Sequence, residues 1–342
     1  MKKNRDGDGL QSRKNELSPI LHRNAYEEMP PDTNKKDWDE FRMKYNSAAN
    51  LELQDNPIQL NLGLSMNCNL KCGFCIQGIT DHSKMYYNKV KKSPGGSKMG
   101  FDAYKKIIDE AVSFGVKSVK LNSIDEPLLN KDIASYIIYA KSAGIINIYF
   151  STNGILLTDE MAKSLIDSGL TKIQISIDSI TKETYQKQRN SGKYETIVSN
   201  VLGFIDRRNA MGRKFPLVRV SFLQTRMNIH EMQKFIDFWE GKADIIGLQE
   251  MNELPEGESD YFIGGGIKSF RCAFPFKQLK VDATGSIHPC CAMNGINMKL
   301  GDIQDISLKD AWNSPQMKDL QGLHKYGDYK KNPHCNKCIN GI

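Results

Sequence analysis

The chain alternates strand-like and helix-like segments through its middle. Apolar patterns typical of strands lie at 57–65, 116–123, 145–152, 171–179, 217–225 and 243–251. Apolar residues spaced three or four apart, typical of amphipathic helices, lie between them at 101–115, 131–144, 158–169, 195–212 and 228–241. Because strands that alternate with helices form parallel sheets with right-handed crossovers, we expect an α/β fold. Six units favour a partial (βα)6 barrel over a closed eight-unit barrel.

Local signals mark the ends of some of these helices. Asp102 is expected to be an N-cap, and Gly115 stands where the same helix should end. Asn228 and Glu231 have the spacing of a capping box at the start of the last helix. These signals support the predicted helix boundaries.

Chain length and composition limit the class of protein. With 342 residues, 39% hydrophobic and 25% charged, the chain has room for one large and one smaller globular domain. We divide it into a polar N-terminal extension (1–55), flexible or packed on the surface, a barrel (56–255) and a small C-terminal domain (256–342). A secretion signal and a membrane-length apolar run are both missing, so we expect a cytoplasmic protein without a membrane partner.

The net charge of +7 is modest. It fits ordinary surface charge and is also compatible with an acidic or phosphorylated substrate. No Lys/Arg stripe with interleaved aromatic residues is present, and we therefore expect no nucleic-acid partner.

The eight cysteines fall into groups near opposite ends of the barrel segment. They are Cys68, Cys72 and Cys75, then Cys272, Cys290 and Cys291, and finally Cys335 and Cys338. Clustered thiols in a cytosolic chain usually bind metal or take part in redox chemistry. This distribution predicts two separate metal sites.

The first group, in LSMNCNLKCGFCIQG at 64–78, offers three thiolates directly after the first strand. A cubane of four irons needs one protein ligand per iron, so three thiolates leave one iron open. An open coordination position is typical of a catalytic metal centre. The alternative is a zinc site completed by a distant ligand, for which His82 is available.

The Cx3Cx2C spacing and its position after the first strand resemble the radical S-adenosylmethionine (SAM) enzymes, which have a TIM-like partial barrel. The resemblance implies that Cys68, Cys72 and Cys75 hold a [4Fe–4S] cluster and that SAM chelates the open iron. The reduced cluster then cleaves SAM to a 5′-deoxyadenosyl radical, which abstracts a substrate hydrogen. It also implies a reductant such as flavodoxin or ferredoxin, and places Phe74 against the adenine.

Other predicted SAM contacts follow the same resemblance. Glu126 in IDEPLL stands where relatives carry Gly-Gly-Glu-Pro, although Ile124 and Asp125 replace the two glycines. The expected contacts are Glu126 with the methionyl ammonium, Asn153 at the end of the third strand, Ser176 with the ribose and Arg189 with the methionyl carboxylate. Each of these residues also fits a turn or cap role.

The second cysteine group resembles the SPASM or twitch extensions of radical SAM enzymes. Cys272, Gly285 and Cys290 follow their C-x(9–15)-G-x4-C pattern, and HCNKC adds Cys335 and Cys338. By that resemblance Cys272, Cys290, Cys335 and Cys338 bind one auxiliary [4Fe–4S] cluster, in a truncated or twitch-like form. A four-cysteine zinc knot is the alternative, and the iron and zinc contents of the protein distinguish the two.

Cys291 is left over from this ligand set. It is either an inert buried thiol, a ligand in place of Cys290, or a hydrogen donor to a substrate radical, as in some radical epimerases. The sequence leaves these three roles open.

The cysteine spacing resembles that of radical dehydrogenases of the 2-deoxy-scyllo-inosamine dehydrogenase type. We therefore expect oxidation of a small polyhydroxylated substrate, a sugar, nucleotide-sugar or aminocyclitol, with the auxiliary cluster as electron acceptor. The alternatives are epimerisation with Cys291 as hydrogen donor, peptide maturation, and a non-catalytic iron–sulfur or zinc protein. The catalytic base stays open among Gln224, Gln249 and Glu250 at strand ends.

Overall fold

The computed structural model describes residues 20–21, 25, 27–78, 97–250, 272–292 and 294–340. His82 and the predicted domain boundary at 255/256 lie outside these residues. The boundary at 55/56 also stays a prediction. No helix of the described part is long and apolar enough to cross a membrane.

One sheet runs through the described chain. Its strands are β1 (Ile20–Leu21), β2 (Gln59–Leu62), β3 (Ser118–Lys120), β4 (Asn147–Thr152), β5 (Lys172–Ser176), β6 (Leu217–Gln224), β7 (Ile245–Glu250), β8 (Gln278–Val281), β9 (Ser286–His288) and β10 (Gly301–Asp302). In space the order is β1-β7-β6-β5-β4-β3-β2-β8-β9-β10. The neighbours from β7 through β2 to β8 pair in parallel, and β1, β9 and β10 pair antiparallel at the two edges.

The helices connect these strands or pack beside them. They are α1 (Lys35–Ala49), α2 (Phe101–Ser113), α3 (Ile133–Ala143), α4 (Asp159–Asp167), α5 (Lys182–Arg189), α6 (Tyr194–Ala210), α7 (Met232–Trp239), α8 (Phe274–Lys277), α9 (Leu308–Asn313), α10 (Pro315–Lys325) and α11 (Pro333–Asn340). The six predicted strands correspond to β2–β7 and the five predicted helices to α2, α3, α4, α6 and α7. The prediction of a partial (βα)6 barrel is confirmed. Helix α5, between β5 and α6, was not predicted.

The C-terminal segment extends the barrel sheet. Strand β8 pairs in parallel with β2, with Gln59 opposite Gln278 and Asn61 opposite Lys280. The division into a barrel and a small C-terminal domain stays a prediction. The first strand of the C-terminal segment lies in the same sheet as the barrel, directly beside the strand that leads into the cysteine loop.

The two faces of the barrel sheet differ in chemistry. Apolar side chains such as Leu60, Val119 and Ile173 pack with the helices in one large core. Since side chains alternate across a strand, the intervening positions face away from the helices, into the barrel. We call these positions the lumen face: Gln59, Asn61, Ser118, Lys120, Asn147, Tyr149, Ser151, Lys172, Gln174, Ser176, Arg219, Ser221, Gln249, Gln278 and Lys280. The same face also carries the apolar Leu217, Leu223 and Ile245, so the barrel interior is largely but not wholly polar.

The predicted helix caps are partly wrong. Helix α2 begins at Phe101 after the N-cap Gly100, and Asp102 lies in its first turn, paired with Lys105. Asn228 and Glu231 form no capping box. The Asn228 amide donates to the carbonyls of Asp178 and Leu223, and the Glu231 carboxylate accepts from residues at the start of α5. Both side chains stabilise contacts between distant segments.

The N-terminal extension contains a packed helix. Trp38 and Phe41 of α1 form an apolar cluster with Ile58, before β2, and with Ala273 and Phe276 of the C-terminal segment. The interpretation of this region as packed on the surface therefore holds for α1. Helix α1 thus packs against the segment before β2 and against the start of the C-terminal segment.

Replacing Phe41 with Ala should remove a buried ring from this cluster. Since large-to-small core substitutions of this kind cost about 3 kcal/mol, the free energy of unfolding should fall by that order. Met43→Ala on the same helix, where the side chain is 62% exposed, should change it little. Urea unfolding curves of both variants test this. Equal effects of the two substitutions would show that α1 does not pack as described.

Candidate functional site

The first cysteine loop follows β2 and folds back on itself. The Cys75 amide donates to the Cys72 carbonyl at 3.1 Å, and the Gly78 amide donates to the Cys75 carbonyl at 2.8 Å. A Cβ atom on Gly78 would lie 2.1 Å from the Cys72 carbonyl oxygen. Only glycine fits at this position, and the close approach keeps Cys72 and Cys75 in one compact turn.

The three thiols of this loop affect one another's charge. Burial, with smaller contributions from the charges of Glu126, Cys72 and Cys75, raises the pKa of Cys68 to about 11. Burial also raises the pKa of Cys75, again with a contribution from Cys72. Three buried or half-buried thiolates in one loop are unfavourable unless cations lie between them. The donor set therefore fits an iron–sulfur cluster with an open iron.

Polar side chains from the neighbouring strand ends hold this loop in place. The Asp125 carboxylate accepts from the Ser65 amide at 3.2 Å and from the Ser123 amide at 2.8 Å, which joins the segments after β2 and β3. The Gln77 amide donates to the carbonyls of Met66 and Ile124. Asp125, which replaces a glycine of the family pattern, thus has a structural role that the sequence analysis did not assign.

Glu126 is buried and its carboxylate is fully engaged. It accepts from the Leu128 amide at 3.0 Å, the Thr152 hydroxyl at 2.6 Å and the Asn153 amide at 2.7 Å. Its own amide donates to the Asn67 carbonyl in the cysteine loop. Burial raises the pKa of Glu126 to about 7, although these hydrogen bonds favour the carboxylate. Glu126 therefore fastens the end of β4 to the cysteine loop.

Arg189, at the end of α5, also reaches this loop. Its guanidinium forms a buried ion pair with Asp178, lies 3.7 Å from the Cys72 sulfur and stacks 5.2 Å from the centre of the Phe74 ring. Asn153 donates to the side chain of Asn69, next to Cys68, at 2.7 Å. Ser176 ends β5 on the lumen face. The structure thus brings Phe74, Glu126, Asn153 and Arg189 to the cysteine loop, and their contacts with SAM stay predictions.

The second cysteine group comes together from three segments. Cys272 precedes α8, Cys290 follows β9, and Cys335 and Cys338 lie one turn apart on α11. Burial raises the pKa of Cys272 to about 12 and also raises that of Cys290, and the charges of Cys335 and Cys291 add to both shifts. These buried thiols, like the first group, require a metal partner to ionise. The donor set fits a cluster with a complete set of thiolate ligands.

His324 of α10 is a residue of this site that the sequence analysis missed. Its Nδ1 accepts from the Cys272 amide at 3.0 Å, and its Nε2 lies 3.4 Å from the Cys335 sulfur. Burial lowers the pKa of His324 to about 4, so the ring is neutral at pH 7. Since Nδ1 accepts, the proton is on Nε2, which donates to Cys335. His324 lies 52 residues after Cys272 and 11 residues before Cys335, and no sequence motif relates a histidine to cysteines at these spacings.

Cys291 lies between the cluster site and the barrel. It is half-buried, whereas Cys290 is buried. Its charge acts on Cys290 and Cys272 on one side and on Lys120 of the lumen face on the other. Its position is compatible with a thiol that faces the lumen.

The raised pKa of Glu126 predicts a pH dependence of stability. Between its ordinary value of 4.5 and about 7 the folded chain retains a proton that the unfolded chain has lost. Stability of the protein without clusters should therefore fall from pH 5 to pH 7.5 by about 3 kcal/mol and then level off. In Glu126→Gln the decline should shrink to the part due to Asp125, whose pKa burial raises to about 6.

Unfolding midpoints followed by circular dichroism across this pH range measure the effect. The exposed Glu160→Gln on α4 serves as the control and should retain the full decline. A Glu126→Gln protein with an unchanged slope would contradict the assignment.

Two family models match the chain. The Radical SAM superfamily model matches residues 64–238, a little over half of the chain, and the SPASM model, an iron–sulfur cluster-binding domain, matches residues 272–339. The first match contains the Cys68 loop and the second contains the other five cysteines. The second match also decides against the zinc alternative for that site.

Curated relatives are similar over part of their length. A probable GTP 3′,8-cyclase of Methanocaldococcus jannaschii is 27% identical over 203 residues, 59% of this chain and 62% of the relative. A probable GTP 3′,8-cyclase of Sulfolobus acidocaldarius is 28% identical over 213 residues, 62% of this chain and 60% of the relative. The chain thus spans about three fifths of the length of the curated relatives it matches.

Solved structures share the fold at lower identity. Streptococcus suis SuiB bound to S-adenosylmethionine has a TM-score of 0.61 at 17% identity, covering 86% of this chain and 79% of SuiB. The anSMEcpe structure with bound AdoMet has a TM-score of 0.59 at 15% identity, covering 78% of this chain and 84% of that one. BtrN in complex with AdoMet and 2-DOIA has a TM-score of 0.50 at 16% identity, covering 82% and 92%.

The donor sets, the fold and the family models agree. Three buried or half-buried thiols in a turn after β2 fit a cluster with one open iron, and the second group fits a fully ligated cluster. The chain belongs to the radical SAM superfamily, and its cofactors are S-adenosylmethionine and a [4Fe–4S] cluster in each of the two matched domains.

Proposed function

We propose that this chain is a radical SAM oxidoreductase that oxidises an alcohol of a small polyhydroxylated substrate, a sugar, nucleotide-sugar or aminocyclitol. The polar lumen face is the observation that carries the proposal. An interior lined with amide, hydroxyl and charged side chains offers hydrogen bonds to a substrate with many hydroxyl groups. An apolar substrate would leave these groups unpaired.

The ligand assignments belong to the proposal. Cys68, Cys72 and Cys75 hold the cluster that meets SAM, and Phe74, Glu126, Asn153, Ser176 and Arg189 surround the nucleotide. Cys272, Cys290, Cys335 and Cys338 hold the auxiliary cluster in a truncated or twitch-like domain. The electrostatic influence of Cys272 and Cys335 on the buried Cys290 supports Cys290 as the ligand.

When bound, the cofactors supply a 5′-deoxyadenosyl radical that takes the carbinol hydrogen and an acceptor for the one electron left after the hydroxyl proton has gone. The lumen residues orient the carbinol, and a base at a strand end takes the proton. The base stays open among Gln224, Gln249 and Glu250: Gln249 lies on the lumen face, and Glu250, the one carboxylate of the three, is exposed on the opposite face of β7. A cytoplasmic location and a flavodoxin or ferredoxin reductant complete the proposal.

The names of the relatives span several substrate classes. They include GTP, 2-DOIA and the precursor peptide SuiA. A second candidate function is epimerisation with Cys291 as hydrogen donor. It is favoured by the electrostatic contact of Cys291 with Lys120 of the lumen face.

Anaerobic turnover in heavy water tests the proposal. The reconstituted protein, reduced with dithionite, should cleave SAM and convert one member of a panel of sugars, nucleotide-sugars and aminocyclitols to a ketone without deuterium at carbon. Cys291→Ala should retain most of this oxidation. If the product is instead the inverted alcohol with deuterium at carbon, and Cys291→Ala does not form it, the reaction is epimerisation rather than oxidation. Turnover of peptides alone would reject both.

The hydrogen bond from His324 predicts the redox behaviour of the auxiliary cluster. An N–H donor on a thiolate ligand stabilises the reduced state, which carries more negative charge. If this hydrogen bond favours the reduced over the oxidised auxiliary cluster by about 1 kcal/mol, His324→Phe should lower the midpoint potential of that cluster by about 40 mV. Potentiometric titration followed by EPR measures the shift.

The control is the exposed His230→Gln, which lies near α7 and should leave both potentials unchanged. In His324→Phe the potential of the Cys68 cluster should also stay constant. An unchanged auxiliary potential with full iron content would mean that His324 only packs against Tyr329, on which its ring stacks.

A further inference from the structure

Three cationic side chains, those of Lys120, Arg219 and Lys280, lie on the lumen face and interact electrostatically. Lys280 of β8 and Lys120 of β3 flank Asn61 of β2, since Asn61 lies opposite both in register. Arg219 of β6 acts electrostatically on Lys120 from farther round the sheet, as does Lys280. A Cβ atom on Gly247 would lie 2.2 Å from the Arg219 guanidinium, so the glycine of β7 leaves room for that group. The sequence places these cations far apart, and only the sheet brings them together.

Lys280 is completely buried, and its ammonium has no hydrogen-bond partner among the described residues. Burial of an ammonium without a partner is strongly unfavourable, and such groups are rare in folded proteins. The nearby Asp282 carboxylate acts on Lys280 electrostatically but forms no hydrogen bond with it; its oxygens accept from the Thr284 hydroxyl at 2.6 Å and lie 3.3 Å from His288. The N–H groups of the Lys280 ammonium are therefore open to an acceptor from outside the described residues.

Two neutral donors beside Lys280 are also unsatisfied. The Gln59 amide donates to Asn61 Oδ1 at 2.6 Å and to Gln278 Oε1 at 3.3 Å, which turns both amide nitrogens away from Gln59. Asn61 Nδ2 and Gln278 Nε2 have no acceptor in the described part of the chain. Buried donors without acceptors, grouped on β2 and β8 around an ammonium, match a ligand that only accepts hydrogen bonds.

We propose that the lumen binds an oxyanion of the substrate, a phosphate or carboxylate group, at Lys280 with Lys120 and Arg219 around it. The inference rests on the proposed function and narrows its substrate class to sugar phosphates, nucleotide-sugars or sugar acids. A cationic aminocyclitol does not fit three cations. Lys120 is half-buried, whereas Lys280 is completely buried.

Isothermal titration calorimetry of the anaerobic, cluster-reconstituted protein tests the site, with pyrophosphate and citrate as probes. The wild type should bind at least one of them, and pyrophosphate binding tighter than citrate identifies phosphate while the reverse identifies carboxylate. Lys280→Met, of similar length and without charge, should bind at least tenfold more weakly. The exposed Lys163→Met on α4 should bind like the wild type.

The unfolding temperature separates a binding role from a structural one. Since Lys280→Met removes a buried ammonium that has no hydrogen-bond partner among the described residues, it should unfold at the same or a higher temperature than the wild type. If it fails to fold, Lys120→Met provides the same affinity comparison. No binding of either probe to the wild type, or equal affinity in the lysine variants, overturns the inference.

This test does not depend on turnover. Anion binding without oxidation of any sugar would retain the site and reject the proposed function. Oxidation of neutral sugars by a protein that binds neither anion would retain the proposed function and reject the anion site.

Discussion

The parallel pairing of β2 with both β3 and β8 is the constraint on which the site depends. Strand β2 leads directly into the Cys68 loop, β3 leads into the turn that carries Asp125 and Glu126, and β8 begins six residues after Cys272. The carboxyl ends of parallel strands meet at one edge of a sheet. Backbone hydrogen bonds therefore bring the loop for the first cluster and its supporting carboxylates to adjacent positions, whereas Cys272 precedes the amino end of β8. Asp125 and Glu126 then fix the loops by accepting amide and hydroxyl protons across the strand ends.

The polar lumen distinguishes this barrel from one whose interior is packed with branched apolar residues. The largest apolar core of the described residues lies between the outer face of the sheet and its helices. The inner face holds amides and hydroxyls in a network, for example Tyr149 donating to Gln59 at 2.8 Å, together with charged groups that lower stability. Burial and the neighbouring cations lower the pKa of Lys120, a direct sign of that cost. Under the proposed function a polar ligand satisfies these groups, which is why both the proposed function and the proposed anion site rest on the lumen face.

The sequence predicted what depends on local periodicity and spacing. The apolar alternation of β2–β7, the helices between them and the Cys68 loop each have a signal within a few residues. The pairing of β8 with β2 could not be predicted, since it joins residues more than two hundred positions apart and no alternation specifies a partner. The capping box predicted from the spacing of Asn228 and Glu231 was wrong, because both side chains form tertiary hydrogen bonds instead. Asn228 donates to Asp178 and Leu223, and Glu231 accepts from the start of α5. His324 carries a hydrogen bond that only the packed site reveals.

One short segment serves both the second cluster and the substrate chamber. Residues 272–292 supply the thiols of Cys272 and Cys290, and the same segment supplies Lys280 and Gln278 to the lumen. The radical SAM match ends at residue 238, before any of these positions. If the anion site is as proposed, part of the substrate specificity resides in the auxiliary domain rather than in the shared barrel. In that case the auxiliary cluster and the bound anion are connected through one strand, since β8 follows Cys272 and carries Lys280.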